Sequence, residues 1–215
     1  MLSGRNLIAT LAVIAVAAVG AAVLLVSSHG HGRTGSPPVV VQPGVKTLQG
    51  SVFSTSYDAG WVLSSKRDSI GAAQYQLSST GAAINPLGIA PAGTVAITIN
   101  ETPESFFSSA HTAGVGPDLA VRRQSAVQLL PHIVGTPRGA QRTILASRPQ
   151  RSKLAGVEAA IESYGYTYAG TGNIQVDVLS RKHGDIVLLE LNTEPSLSSQ
   201  GEAALEAIAK HWRWR

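Results

Sequence analysis

Cysteine is absent from the 215 residues, and that absence excludes a disulfide framework, a thiolate metal site and the acylated cysteine of a lipoprotein. Any domain here must be held by its core. Charge is also scarce: Asp, Glu, Lys and Arg make up 14% of the chain, against about 25% in an ordinary globular protein. That excludes a highly charged disordered chain. From Leu119 to Val157 there is no acidic residue at all, while Arg122, Arg123, Arg138, Arg142, Arg148, Arg151 and Lys153 lie in that stretch. No aromatic is interleaved with these bases, so the stacking platform that single-stranded nucleic acid needs is missing and no nucleic acid is expected. A Gly-x-Ser-x-Gly elbow, a His-Glu-x-x-His pair and a P-loop are all missing as well, so the sequence points to no nucleophile, catalytic zinc or nucleotide chemistry.

What is present begins with an apolar run. Leu7 to Val26 carries no charge, and twenty residues at ~1.5 Å each span about 30 Å, the thickness of a bilayer core. A cleaved signal peptide has a shorter apolar core of about 7 to 15 residues, so an uncleaved transmembrane anchor is expected. Arg5 before the run places residues 1–6 in the cytoplasm and the rest of the chain outside. Residues 27–49 are rich in Ser, Gly, His and Pro and read as a tether. Its His29 and His31 fall on one side of an extended chain, but two imidazoles without a third ligand do not close a metal site. Residues 50–215 are enough for one domain with a real core.

Within that domain the hydrophobic period is two. Phe53, Thr55 and Tyr57 alternate with serines, and Asp58-Ala59-Gly60 leads into "WVLSS" as a hairpin candidate. Ala73, Tyr75 and Leu77 alternate with Gln74 and Gln76, and Val95, Ile97 and Ile99 repeat the pattern beyond a Gly- and Pro-rich loop. Thr102-Pro103-Glu104 opens a short helix through Phe106 and Phe107. Gly116-Pro117-Asp118 opens a second, which is expected to stop at Pro131. Three meandering strands follow, with Glu158 and Glu162 on the solvent side of the first, and the third, "IVLLELN", is apolar on both faces. Ser199 and Glu202 form a capping-box pattern for a closing helix that carries Leu205, Ile208 and Trp212 inward. The fold class is α+β: a mainly antiparallel sheet with helices on both faces, an α/β/α sandwich.

The stretches "FSTSYDAGWVLS", "GVEAAIESY", "DIVLLELNTEP" and "GEAALEAIAKHWRW" resemble the PsbP-like superfamily, which takes in Mog-like proteins and LpqN-type envelope lipoproteins. The chain departs from the lipoproteins by lacking their lipid-bearing cysteine. The resemblance implies a partner and no reaction, and it transfers no site residue. The reading is therefore a membrane-anchored extracytoplasmic binding or assembly module of a bacterial cell envelope, non-catalytic and without a cofactor or metal. Its partner is expected to be an envelope protein or an anionic lipid or polymer, met by the seven bases above. Tyr164, Tyr166 and Tyr168 share one strand face, as core under a helix or as an exposed recognition strip. Two alternatives stay open: a cell-envelope hydrolase whose site lies outside the motifs above, and a lipid-surface-interacting protein.

Overall fold

The computed structural model of the chain describes residues 44–69, 71–85, 88–108, 124–134, 139–143 and 147–215, with the side chains of residues 107, 108, 132, 142 and 143 outside the description as well. The expected anchor, Arg122, Arg123 and Arg138 lie outside the described residues. Among those residues no helix is long and apolar enough to cross a membrane.

The main body is an eight-stranded sheet, ordered β3 (Val62–Arg67), β4 (Ala73–Ser78), β5 (Ala96–Pro103), β10 (Asp185–Thr193), β9 (Thr171–Lys182), β8 (Val157–Tyr168) and β6 (Gln141–Thr143). Its remaining strand, β7 (Gln150–Leu154), pairs with the first part of β8, and every described pairing is antiparallel. The two long hairpins, β8–β9 and β9–β10, turn through Ala169-Gly170 and His183-Gly184 with positive φ at both central residues. That conformation matches the right-handed strand twist and is cheapest with glycine at the second position.

A second sheet of three strands, β1 (Val45–Gln49), β2 (Phe53–Asp58) and β11 (Arg213–Trp214), packs on one face of the first. It corrects two expectations. Val45–Gln49, read as the end of the tether, is a strand. The hairpin from Phe53 to Ser65 does not form either: β2 pairs with β1 and β11, whereas β3 pairs with β4. The turn at Asp58, closed by Gly60 N–H donating to Asp58 Oδ1 at 2.7 Å, carries the chain from one sheet to the other. Alternation reveals a strand's faces but not its neighbour, and here the C-terminal residues take the edge of β2.

Between these sheets lies the larger core, including Phe53, Leu77, Ile97, Leu189, Leu205 and Trp212. Trp212 is fully buried and stacks on Phe53 with ring centroids 4.2 Å apart. Helix α3 (Ser198–Lys210) closes this side with Leu205 and Ile208 buried. It lies so near the sheet that a Cβ on Gly201 would come within 2.8 Å of Leu191. No Ser199–Glu202 box caps it; a 3₁₀ turn at Pro195–Leu197 feeds straight into the first helical turn.

The opposite face carries α2 (Ala126–Ile133), and α1 (Glu104–Ser108) follows β5. The capping box of α2 joins Ser125 and Gln128. The helix runs past Pro131 instead of stopping there, because its bond from Val134 N–H to the Leu130 carbonyl and the burial of Leu129 and Leu130 outweigh one lost donor. The basic stretch supplies β6 and β7. The fold is thus α+β, mainly antiparallel sheet with few helices.

Candidate functional site

Strand alternation gives the main sheet two unlike faces. Beneath α3 the centre is aliphatic. On the other face the register lines up one row of polar side chains across six strands: Ser64 opposite Gln76, Gln76 opposite Thr98, Thr98 opposite Glu190, Glu190 opposite Asp177 and Asp177 opposite Glu162. Each member sits at a position that its own strand turns away from the apolar core, so each reads singly as solvent face. The register makes them a continuous strip.

One half of that strip is covered. α2 packs against β8 and β9, and Leu129, Leu130, Tyr164, Tyr166 and Ile186 form a second core there. Asp177 is fully buried and accepts from Gln175 Nε2 at 2.9 Å. Asn192 donates to the Tyr166 hydroxyl and accepts from Ala90 N–H at 2.9 Å, tying the loop before β5 to the sheet. Burial pushes the Tyr166 phenol up to about 12, with the carboxylates of Asp177 and Glu190 adding to the shift and the Asn192 hydrogen bond opposing it. Glu190 is pushed up to about 7, chiefly by burial and against the hydrogen bond that it accepts from Asn100. A carboxyl in that range changes charge near neutrality, as an acid, base or switch must.

The other half is open. Over β3, β4 and β5 a groove of about 240 Å³ is walled by Lys66, Arg67, Asp68, Gln74, Asn100 and Thr102. Gln74 Nε2 donates to Asn100 Oδ1 at 2.9 Å. This half is built of amides, a hydroxyl, two cations and the Asp68 carboxylate: groups that recognise a polar ligand through hydrogen bonds and charge. Among the described residues no group of three His, Asp or Glu side chains is placed to hold a metal ion.

The residues singled out by sequence divide accordingly. Tyr164 and Tyr166 are 1% exposed and Tyr168 packs beside them. They belong to the core under α2, and the recognition strip they offered is not presented to solvent. Glu162, read as a solvent-side charge, is buried, because α2 covers the strand face that was taken for surface. Arg148, Arg151 and Lys153 are exposed. Register places Arg151 opposite Ala160 and Lys153 opposite Glu158, on the polar face at the far edge from Lys66. Glu104, at the start of α1, is held by Arg181 of β9 at 3.3 Å. The polar row and the groove escaped sequence reasoning. Its one available signal was that Gln74, Gln76, Thr98, Asn100 and Glu190 recur at alternate positions of separate strands.

No protein-family model matches the sequence, and no curated protein matches it. Among solved structures, cyanobacterial PsbP (CyanoP) from Synechocystis sp. PCC 6803 is similar at 10% identity and a TM-score of 0.44, over 84% of this chain and 98% of that one. The Ran-binding protein Mog1p of Saccharomyces cerevisiae is similar at 11% identity and 0.41, over 80% and 96%. LpqN, involved in cell envelope biogenesis of Mycobacterium tuberculosis, is similar at 12% identity and 0.34, over 86% and 87%. These neighbours are of the PsbP- and Mog-like kind that the sequence resembles. The likeness is one of fold at low identity, and no residue's role is taken from it.

Proposed function

We propose that the chain is a binding or assembly module whose recognition surface is the open, polar half of the main sheet, and that residues 7–26 anchor it so that this surface works outside the membrane. The observation that carries the reading is the groove over β3 to β5, where amides, cations and the Asp68 carboxylate line an accessible concavity beside the half-buried carboxylate of Glu190. Hydrogen-bonding groups held by strands are pre-ordered, so a partner pays little conformational entropy to meet them. Exposed Arg148, Arg151 and Lys153 form a separate basic patch by the opposite edge of the sheet, beyond the half that α2 covers, suited to an anionic partner, an envelope polymer or lipid headgroups. The envelope setting rests on the apolar run and the resemblance stated above. A cell-envelope hydrolase is the second reading, and among the described residues no serine or histidine lines the groove.

Photo-crosslinking in membranes tests this. A photoreactive residue at Ser64 is expected to capture a partner, whereas one at Glu206, exposed on α3, captures none. Equal capture from both positions overturns the assignment of the surface.

A further inference from the structure

The groove and the carboxylate behind it are joined by two amides in series. Gln74 Nε2 donates to Asn100 Oδ1, and Asn100 Nδ2 donates to Glu190 Oε2. An amide has a donor end and an acceptor end, so the direction of such a chain is set by the group at its terminus. Ionised Glu190 only accepts: both amides turn nitrogen inward, and Gln74 leaves its carbonyl oxygen for the groove. Protonated Glu190 has an O–H to give. Its other oxygen still accepts, so protonation frees the chain to reverse with each link kept, Glu190 donating to Asn100 Oδ1 and Asn100 to Gln74 Oε1, with the Gln74 NH₂ turned outward. Lys66 stands directly opposite Gln74 on the same face, with Thr102 in the same wall.

Resting on the reading of this surface as a recognition site, we propose that the groove binds an oxyanion, a carboxylate, sulfate or phosphate group, together with one proton taken from solvent by Glu190. The reversed relay aims an amide N–H at the anion beside the Lys66 ammonium, whereas the unreversed relay aims a carbonyl oxygen at it and repels it. Burial brings the proton within reach near neutral pH. The charged and titratable groups that face Glu190 come from the neighbouring strands. Asp177 faces it from β9, Glu162 lies one strand further on β8, and the Tyr166 phenol stays protonated. From β5 it meets Thr98 and Asn100, which do not titrate. α2 contributes no Asp, Glu, Lys or Arg, and its His132 side chain lies outside the described residues.

Calorimetric titration of the full chain with inorganic sulfate, whose charge is constant across this range, tests the proposal. If only the protonated form binds, affinity is about tenfold higher at about pH 6 than at about pH 8. Glu190→Gln is expected to bind at both pH values as the parent does at the lower one, and Lys66→Ala and Gln74→Ala to lose binding. The side-chain NH₂ resonances of Gln74 and Asn100 supply a second readout on the unaltered protein, and they should shift through a single transition near pH 7. Equal affinity at both pH values, or NH₂ resonances that do not move, overturns the proton linkage. The absence of saturable sulfate binding overturns the site and leaves the Ser64 crosslinks as they were, so the two readings fail separately. Phosphatidylglycerol vesicles identify the source of the anion. Retention that sulfate competes away and Lys66→Ala abolishes supports a lipid headgroup, while sulfate binding without retention supports a free anion.

Discussion

On one face of the main sheet Leu77, Ile97, Leu189 and Val176 lie under α3 and the three-stranded sheet. On the other, Gln76, Thr98, Glu190 and Asp177 occupy corresponding positions one residue along. The first face is held by apolar area and close packing, which tolerate small displacements and do not depend on pH. The second combines the smaller core under α2 with a row of hydrogen-bonding groups, and there each buried polar group needs a partner or costs the fold its full desolvation. Stability should therefore concentrate on the aliphatic face and pH response on the polar one.

The largest effect is expected from Trp212→Ala. The ring is fully buried between Phe53 and Trp214, and truncations of that kind cost about 3–5 kcal/mol. A denaturant titration with an unchanged midpoint would show that the C-terminal segment is not part of the cooperative core. Glu101 should come next. It is the buried carboxylate on the aliphatic side, and it accepts from Ser51 N–H at 3.0 Å, Val52 N–H at 2.9 Å and the Tyr75 hydroxyl at 3.5 Å. Glu101→Ala leaves those donors unanswered, at a cost of about 1–3 kcal/mol, and amide exchange at Val52 should accelerate. Slow exchange retained at Val52 would remove Glu101 as the link between the two sheets.

Confined to the polar face, and read as a slope against pH, is the effect of Glu190 on the pH dependence of stability. Its pKa in the fold, about 7, lies above its ordinary 4.5, so the fold holds a proton that the unfolded chain releases. This contribution is whole below the unfolded value and is lost as pH rises through about 7. Glu190→Gln should raise stability at about pH 8 relative to the parent and flatten the curve between about pH 5 and pH 8. Asp185 and Glu202 are raised in the same direction, both first by burial, so some slope should remain. If the variant keeps the full slope, the titration belongs to those two groups.

The strands were legible wherever alternation ran against a hydrophobic core, as in β4 and β5, and the closing helix was legible from Leu205 and Ile208. Trp212, expected on that helix, is instead buried beyond its end at Lys210, where the chain turns into β11. The β2–β3 hairpin was misjudged because a turn with an aspartate and a glycine serves a sheet crossing as well as a hairpin. β7 was missed because its short run carries the bases Arg151 and Lys153 at the outward positions, and β6 because it spans only Gln141–Thr143. Glu162 was misplaced for a simpler reason: a polar residue facing away from one core was taken to face water, and a second core lies there.

Taken alone, then, the sequence determined which residues alternate, where Gly-containing turns reverse the chain, and that a cysteine-free domain must be held by packing. These depend on the local geometry of one strand or one turn, with periods of two and 3.6 residues that any stretch of chain displays by itself. Tertiary structure decided which strands are neighbours, and with that the polar row, the groove and the proton on Glu190. Those depend on register between residues as far apart as Gln74 and Glu190, and on which face α2 removes from water; only the closed sheet brings such groups to one place and sets the solvent around them.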